Sequence, residues 1–267
     1  MSTNDKGTAL VTGASSGLGA IYADRLAREG YDLILVARNT AKLKQLEERI
    51  TGATGRSVRT IAADLTRSKD VEWVEDTLLT DNSLRMLVNN AGAGSTARLQ
   101  DLDIASIERM VALNVTAVTR LARAAATAFI ARGGGTIVNM GSILAVAPEV
   151  LSGGVYSGTK AYVLAFSQSL HHEFGGQGIR VQVVLPGATA TDFWELSGTP
   201  VQALPADIVM RADDAVDAAL SGLAQGEFAT LPSLPDIGQW DALEAARRAL
   251  LPGLSRTTPA PRYRTAD

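Results

Sequence analysis

A strand that runs into a glycine turn and then a helix constrains this chain more than any other stretch. Thr8-Ala9-Leu10-Val11 has the composition of a short buried strand, and Thr12-Gly13-Ala14-Ser15-Ser16-Gly17-Leu18-Gly19 follows it directly. Ala20 to Arg28 then has helical composition. Parallel sheets are built from such units, because parallel neighbours need crossover helices. Glycines permit a tight turn and a close backbone approach to a bound group. The exposed N–H groups and dipole of the helix N-terminus favour an anion such as a pyrophosphate. Gly13, Ser15, Ser16, Gly17, Leu18 and Gly19 are therefore candidate phosphate-binding residues. Their spacing, Gly-x-x-x-Gly-x-Gly, differs from the commoner Gly-x-Gly-x-x-Gly, and a loop whose glycines serve only the turn is the alternative.

The unit repeats. Asp32-Leu33-Ile34-Leu35-Val36 is a continuous apolar run of the kind found in sheets covered on both faces, and it ends at Ala37-Arg38-Asn39. About 20 residues beyond a dinucleotide-binding turn, an acid binds the ribose 2′-hydroxyl of NAD, whereas an Arg accepts the 2′-phosphate of NADP. Here the acid is missing and Arg38 is present, which favours NADP(H). NAD(H) stays open, as does a merely exposed Arg38. Leu43, Leu46 and Ile50 give a second helix, and Val58 to Ala62 a third strand closed by Asp64-Leu65. The Asp64 carboxylate suits an adenine amino group, a cap for a helix starting near Ser68, or solvent. Met86-Leu87-Val88 is the fourth strand and leads to Asn89-Asn90-Ala91-Gly92. Small residues there let the backbone lie against a cofactor, and paired amides can brace neighbouring strands.

In the second half, Ile104, Ile107 and Val111 open a long helix that carries Asn114 in apolar surroundings. A buried amide without partners costs about 1–3 kcal/mol, so Asn114 has a defined task, structural or functional. Thr136 to Met140 is the fifth strand, and Gly141-Ser142 puts a hydroxyl at its C-terminal edge, where open α/β sheets bind ligands. Tyr156 and Lys160 are four residues apart, so a helix stacks them on one face. A neighbouring cation favours the ionised phenol, which lets such a pair move a proton near neutrality. In isolation the pair is equally an exposed helical contact of little consequence. Val163, Phe166 and Leu170 extend this helix; His171 and His172 near its end are too few for a metal site and suit an interface or solvent. Ile179 to Leu185 is the sixth strand, ending in Pro186-Gly187-Ala188-Thr189-Ala190-Thr191. A helix over Asp213 to Leu223, a seventh strand over Phe228 to Leu231 and a helix over Asp241 to Leu251 follow.

With 267 residues, 46% hydrophobic and 20% charged, the chain is long enough for one substantial domain, placed at residues 1–251. The Pro-, Thr- and Arg-rich tail, 252–267, is expected to be disordered or docked on a neighbouring subunit. A net charge of −3 with scattered Lys and Arg argues against nucleic acid. The absence of cysteine excludes disulfides, thiol catalysis and thiolate metal sites. No apolar run approaches the ~18 residues of a membrane span, and Met1 to Gly7 has no signal-peptide character. A cytoplasmic protein with a small-molecule partner, no metal and no membrane contact is expected.

Taken in order, Thr12 to Gly19, Asn89 to Gly92, Asn114, Ser142, Tyr156 with Lys160, and Pro186-Gly187 resemble the short-chain dehydrogenase/reductase family, in its compact single-domain form. The resemblance covers Thr8 to Asp192. It implies a doubly wound, Rossmann-like three-layer α/β fold with a mostly parallel sheet of about seven strands. It also implies an NAD(P)-dependent oxidoreductase that reversibly interconverts a carbonyl and an alcohol. Tyr156 would be the general acid/base, Lys160 would lower its pKa and hold the nicotinamide ribose, and Ser142 would orient the substrate oxygen. Asn114 would hold a water near Lys160. Leu65, Asn90, Ala91, Gly92, Pro186 and Gly187 would flank the cofactor, with Thr189 at the carboxamide and Thr191 at the carboxamide or phosphates. Asp192-Phe193-Trp194-Glu195-Leu196 would begin a cover over the substrate, residues 192–212, unless Phe193 and Trp194 are ordinary packing residues. Ala145, Val146, Ala147, Val150 and Leu151 suggest a partly apolar wall. A homodimer or homotetramer formed through the helices of Asn114 and Tyr156 is implied as well. An NAD-linked alcohol dehydrogenase and a non-catalytic dinucleotide-binding sensor or scaffold are the alternatives.

Overall fold

A computed structural model describes residues 6–150 and 154–263, so Leu151 of the expected wall lies outside the described residues. The chain forms two compact units divided between Pro232 and Ser233. The first contains six consecutive strands: β1 (Thr8–Thr12), β2 (Asp32–Ala37), β3 (Val58–Ala62), β4 (Leu84–Asn89), β5 (Gly135–Met140) and β6 (Ile179–Val184). A short parallel pair, β7 (Thr189–Ala190) with β8 (Met210–Arg211), comes next, and β9 (Ala229–Thr230) is the reduced form of the expected seventh strand. The central sheet has the order β3-β2-β1-β4-β5-β6-β9 and is parallel throughout. That is the doubly wound order, which reverses direction at β1 and opens a crevice between β1 and β4.

Helices α1 (Gly17–Arg28), α2 (Thr40–Thr54) and α8 (Ala212–Gln225) cover one face, and α3 (Ser68–Thr80), α5 (Val118–Ala131) and α6 (Gly154–Phe174) cover the other. Successive side chains of a strand point to opposite faces, so β1 and β2 divide cleanly. Ala9, Val11, Leu33 and Leu35 join Tyr22, Leu26, Leu43 and Ile50, whereas Leu10, Ile34 and Val36 join Val74, Leu78, Leu121 and Phe129. With both faces buried, the strands read as unbroken apolar runs. Arg25 clamps α1 to α8 through Asp217 at 2.7 Å and Asp213 at 3.3 Å.

Three boundaries differ from expectation. First, α1 begins at Gly17 instead of Ala20, because the third glycine of the turn already belongs to the helix. Second, the long helix expected from Ile104 is broken into α4 (Ile104–Val111), a π-helical turn Ala112–Ala117 and α5. Third, the segment expected to cover the substrate leaves from β7 and returns at β8, carrying the single-turn helix α7 (Phe193–Leu196) and two 3-10 turns. In the second unit, α9 (Ile237–Ala249) is capped by Asp236, whose carboxylate accepts the Gly238 N–H at 2.9 Å, and α10 (Leu251–Leu254) follows it.

Candidate active site

All the sequence-predicted site residues lie beyond the C-terminal ends of parallel strands, or on the helices that follow them. At the first end, Gly13 (φ 66°) turns β1 towards α1, and Ser16 stands at the helix N-cap without making a side-chain cap bond. The first turn of α1 contains no acid. Its exposed N–H groups therefore form an unneutralised positive helix end beside the Ser16 hydroxyl, which fits a phosphate group. Close packing demands the third glycine: a Cβ on Gly19 would collide with the Gly13 carbonyl and Asn90 Nδ2. Leu18 packs against the core, leaving its backbone for a ligand. Across the crevice Thr191 is the nearest neighbour of Gly17, its Cγ2 3.4 Å from where a Cβ would stand.

The glycine turn is tied to the end of β4 by contacts that the sequence left unread. Thr12 Oγ1 accepts the N–H groups of Asn90 and Ala91, each at 3.0 Å, and donates to the Val88 carbonyl at 3.3 Å. Asn90 Nδ2 donates to the carbonyls of Thr12 at 3.0 Å and Gly13 at 3.4 Å. Its Nδ2 is thus a brace between two turns, which leaves its Oδ1 and backbone carbonyl for a ligand. Asn89 performs the strand bracing expected of a paired amide, donating to Asn139 Oδ1 at 3.0 Å, and Asn139 in turn donates to Ser167 at 3.0 Å.

Arg38 is exposed at the end of β2 and close enough to Asp64 to act on its charge. Burial pushes the Asp64 carboxyl up, but hydrogen bonds from Thr66 together with Arg38 and Arg67 outweigh it and hold the carboxyl below its ordinary range. The Asp64 carboxylate closes its own turn, accepting from Thr66 N at 3.1 Å and Thr66 Oγ1 at 2.8 Å, and it does not cap α3. The Leu65 side chain is in the core.

At the centre, a Cβ on Gly92 would stand 3.4 Å from Asn114 Oδ1 and 3.7 Å from Lys160 Nζ, so these three residues converge. Asn114 is buried in the π turn, a distortion that recurs at functional sites. Its Oδ1 accepts from Ala93 N at 2.9 Å, and its Nδ2 donates to Ala93 O at 2.8 Å and Thr159 Oγ1 at 3.0 Å. The side chain therefore holds the post-β4 loop against α6. Thr159 also donates to the Tyr156 carbonyl at 2.7 Å, joining the amide to the helix of the Tyr/Lys pair.

Lys160 is buried; its Nζ donates to the Met140 carbonyl at 2.8 Å and lies 5.6 Å from the Tyr156 ring centroid. Burial brings the ammonium down from its ordinary 10.5 to about 8. Burial also pushes the Tyr156 phenol above its ordinary value, and a hydrogen bond with Ser142 offsets this only in part. Desolvation is the largest influence on the phenol, and the Lys160 ammonium beside it is itself desolvated and engaged with a carbonyl. Ser142 Oγ accepts the Leu144 N–H at 3.2 Å, which leaves its proton to donate. Pro186 supports this hydroxyl loop, its carbonyl accepting the Ile143 N–H at 3.1 Å. Thr189 Oγ1 donates to Gly187 O at 3.1 Å, and Thr191 Oγ1 points towards Thr189 O at 3.5 Å.

The segment expected to cover the substrate touches this centre through Phe193. Phe193 packs on Tyr156, with ring centroids 5.5 Å apart, and Trp194 is buried with its indole N–H donated to Thr189 O at 2.9 Å. His171 packs on Phe228 with ring centroids 4.9 Å apart and planes tilted by 46°, and no metal-binding cluster occurs among the described residues.

The chain is similar to known proteins in sequence and fold. A short-chain dehydrogenase from Sphingobium yanoikuyae in complex with NADPH is 44% identical and superposes with a TM-score of 0.93, over 96% of this chain and 100% of its own. The bulky-bulky ketone specific alcohol dehydrogenase from Comamonas testosteroni is 42% identical, with a TM-score of 0.89 over 97% of this chain and 99% of its own. Very-long-chain 3-oxoacyl-CoA reductase from Rattus norvegicus is 35% identical over 188 residues, 68% of this chain but only 59% of that protein. The short chain dehydrogenase profile matches residues 7–200, and the chain belongs to that family.

Proposed function

We propose that this chain is an oxidoreductase that interconverts a small-molecule carbonyl and its alcohol, using NADP(H). The observation that carries the reading is the convergence of the Tyr156 phenol, the Ser142 hydroxyl and the Lys160 ammonium beside Gly92, with the uncapped N-terminus of α1 along the same strand ends. The cofactor, when bound, supplies or accepts a hydride. In reduction, negative charge develops on the substrate oxygen, and two hydroxyls held beside it stabilise that charge. Tyr156 donates the proton from its phenolic oxygen, and Ser142 donates a hydrogen bond. In oxidation Tyr156 removes the proton. Lys160 Nζ, 5.6 Å from the Tyr156 ring centroid, favours the ionised phenol while it carries its charge.

Arg38 and the lack of an acid at the end of β2 support NADP(H), as does the NADPH bound by the Sphingobium relative. Exposed Ile104 and Val111, on the helical stretch that leads to Asn114, support assembly into a homodimer or homotetramer through the helices of Asn114 and Tyr156, since this apolar stripe finds no cover among the described residues. No helix among the described residues is long and apolar enough to cross a membrane, which is compatible with a cytoplasmic protein. The test is spectroscopic. Purified protein mixed with NADPH and a broad carbonyl panel consumes NADPH if the reading holds. Cofactor binding without turnover of any carbonyl or alcohol favours the sensor alternative.

A further inference from the structure

Phe193 is wedged against three neighbours. A Cβ on Gly94 would overlap Phe193 Cζ, lie 3.0 Å from Phe193 Cε2 and 3.3 Å from Tyr156 Cδ2. The Phe193 and Tyr156 rings are inclined by 43°, and Trp194 meets Phe193 edge-on at 6.0 Å. Trp194 is itself fixed by its bond to Thr189. The loop carrying Gly94 is fastened to the cover as well. Thr96 N donates to Ser197 O at 3.1 Å, and the hydroxyls of Thr96 and Thr199 meet at 2.8 Å. Both sides of the Phe193–Gly94 contact therefore belong to one stitched unit. By contrast, Val146 and Val150, on the loop after Ser142, are exposed.

Resting on the oxidoreductase reading above, we infer that Phe193 is the specificity-determining residue of the site, selecting carbonyl substrates that carry a flat, apolar, aryl-like group. An aromatic face held beside the Tyr156 ring rewards a planar substituent by offset stacking and disfavours a puckered one of equal size. Gly94 is the enabling residue, because any side chain there would evict the ring. The cost of a poorly matched apolar group in such a pocket is about 10- to 200-fold in kcat/KM.

A matched pair tests this: acetophenone against cyclohexyl methyl ketone, with NADPH. Wild type should favour the aryl ketone by about tenfold in kcat/KM. Phe193→Leu, which keeps the bulk but loses the flat face, should bring the two within about threefold, with NADPH affinity unchanged. Gly94→Ala should produce the same collapse, yet have little further effect in the Phe193→Ala background, where the overlap is gone. An unchanged ratio in Phe193→Leu, or an equal effect of Gly94→Ala in both backgrounds, overturns the inference. So does a wild type that reduces other carbonyls but not acetophenone. Wild type that reduces no carbonyl at all overturns the oxidoreductase reading instead.

Discussion

The two halves of the site treat their polar groups in opposite ways. Around the glycine turn, the Thr12 hydroxyl and the Asn90 side-chain N–H groups are given over to one another's backbone. Around Tyr156, the phenol is pushed up and the ammonium of Lys160 pulled down, both by burial. Satisfied polar groups give rigidity, whereas desolvated ones store a cost that a bound ligand can relieve. The first half is a scaffold for backbone contacts. The second half keeps titratable groups away from their resting state, as expected where protons must move.

Substitutions sharpen this contrast. The largest effect should come from Tyr156→Phe, which removes the proposed proton donor and should lower kcat by about 10²- to 10⁴-fold while NADPH still binds and thermal unfolding is little changed. Turnover retained within a factor of about three would break the proposed assignment of Tyr156. Lys160 should behave in the reverse sense for stability. Its folded-state pKa of about 8 lies below the ordinary 10.5, so the folded chain disfavours the charged form. The resulting cost, about 3 kcal/mol, is fully present below pH 8 and fades as pH rises to 10.5. Lys160→Met should therefore lose activity yet resist urea better than wild type at pH 7, with the gap closing by pH 10.5. Equal stability at pH 7 would refute the desolvation account.

Asn90→Ala strikes the scaffold half. It strips the donor from two carbonyls and should cost about 2 kcal/mol in urea unfolding, with weakened NADPH binding as a consequence. A drop in kcat at unchanged stability would erase the distinction between the halves. The smallest effect is expected at exposed Arg38, where Arg38→Asp should shift the NADPH to NADH affinity ratio by about tenfold at low salt, and less at high salt. A persistent preference for NADPH would move the selector elsewhere.

Local chemistry determined much of this protein. The unbroken apolar runs of β1 and β2, the glycine turn between strand and helix, and the four-residue spacing of Tyr156 and Lys160 are short-range features, so the order of elements was legible directly and the candidate site residues could be named from them. Tertiary structure decided the rest. The π turn at Asn114 exists because its amide is held by Ala93 and Thr159, 21 and 45 residues away. Thr12 gains its role from residues 78 and 79 positions later. The hydroxyls of Thr96 and Thr199 meet across 103 residues, and Phe193 reaches Gly94 over a comparable span. No periodicity encodes such meetings: hydrophobic patterning tells a side chain which face to occupy, but partners for buried polar groups are chosen only when distant loops arrive at the same strand ends.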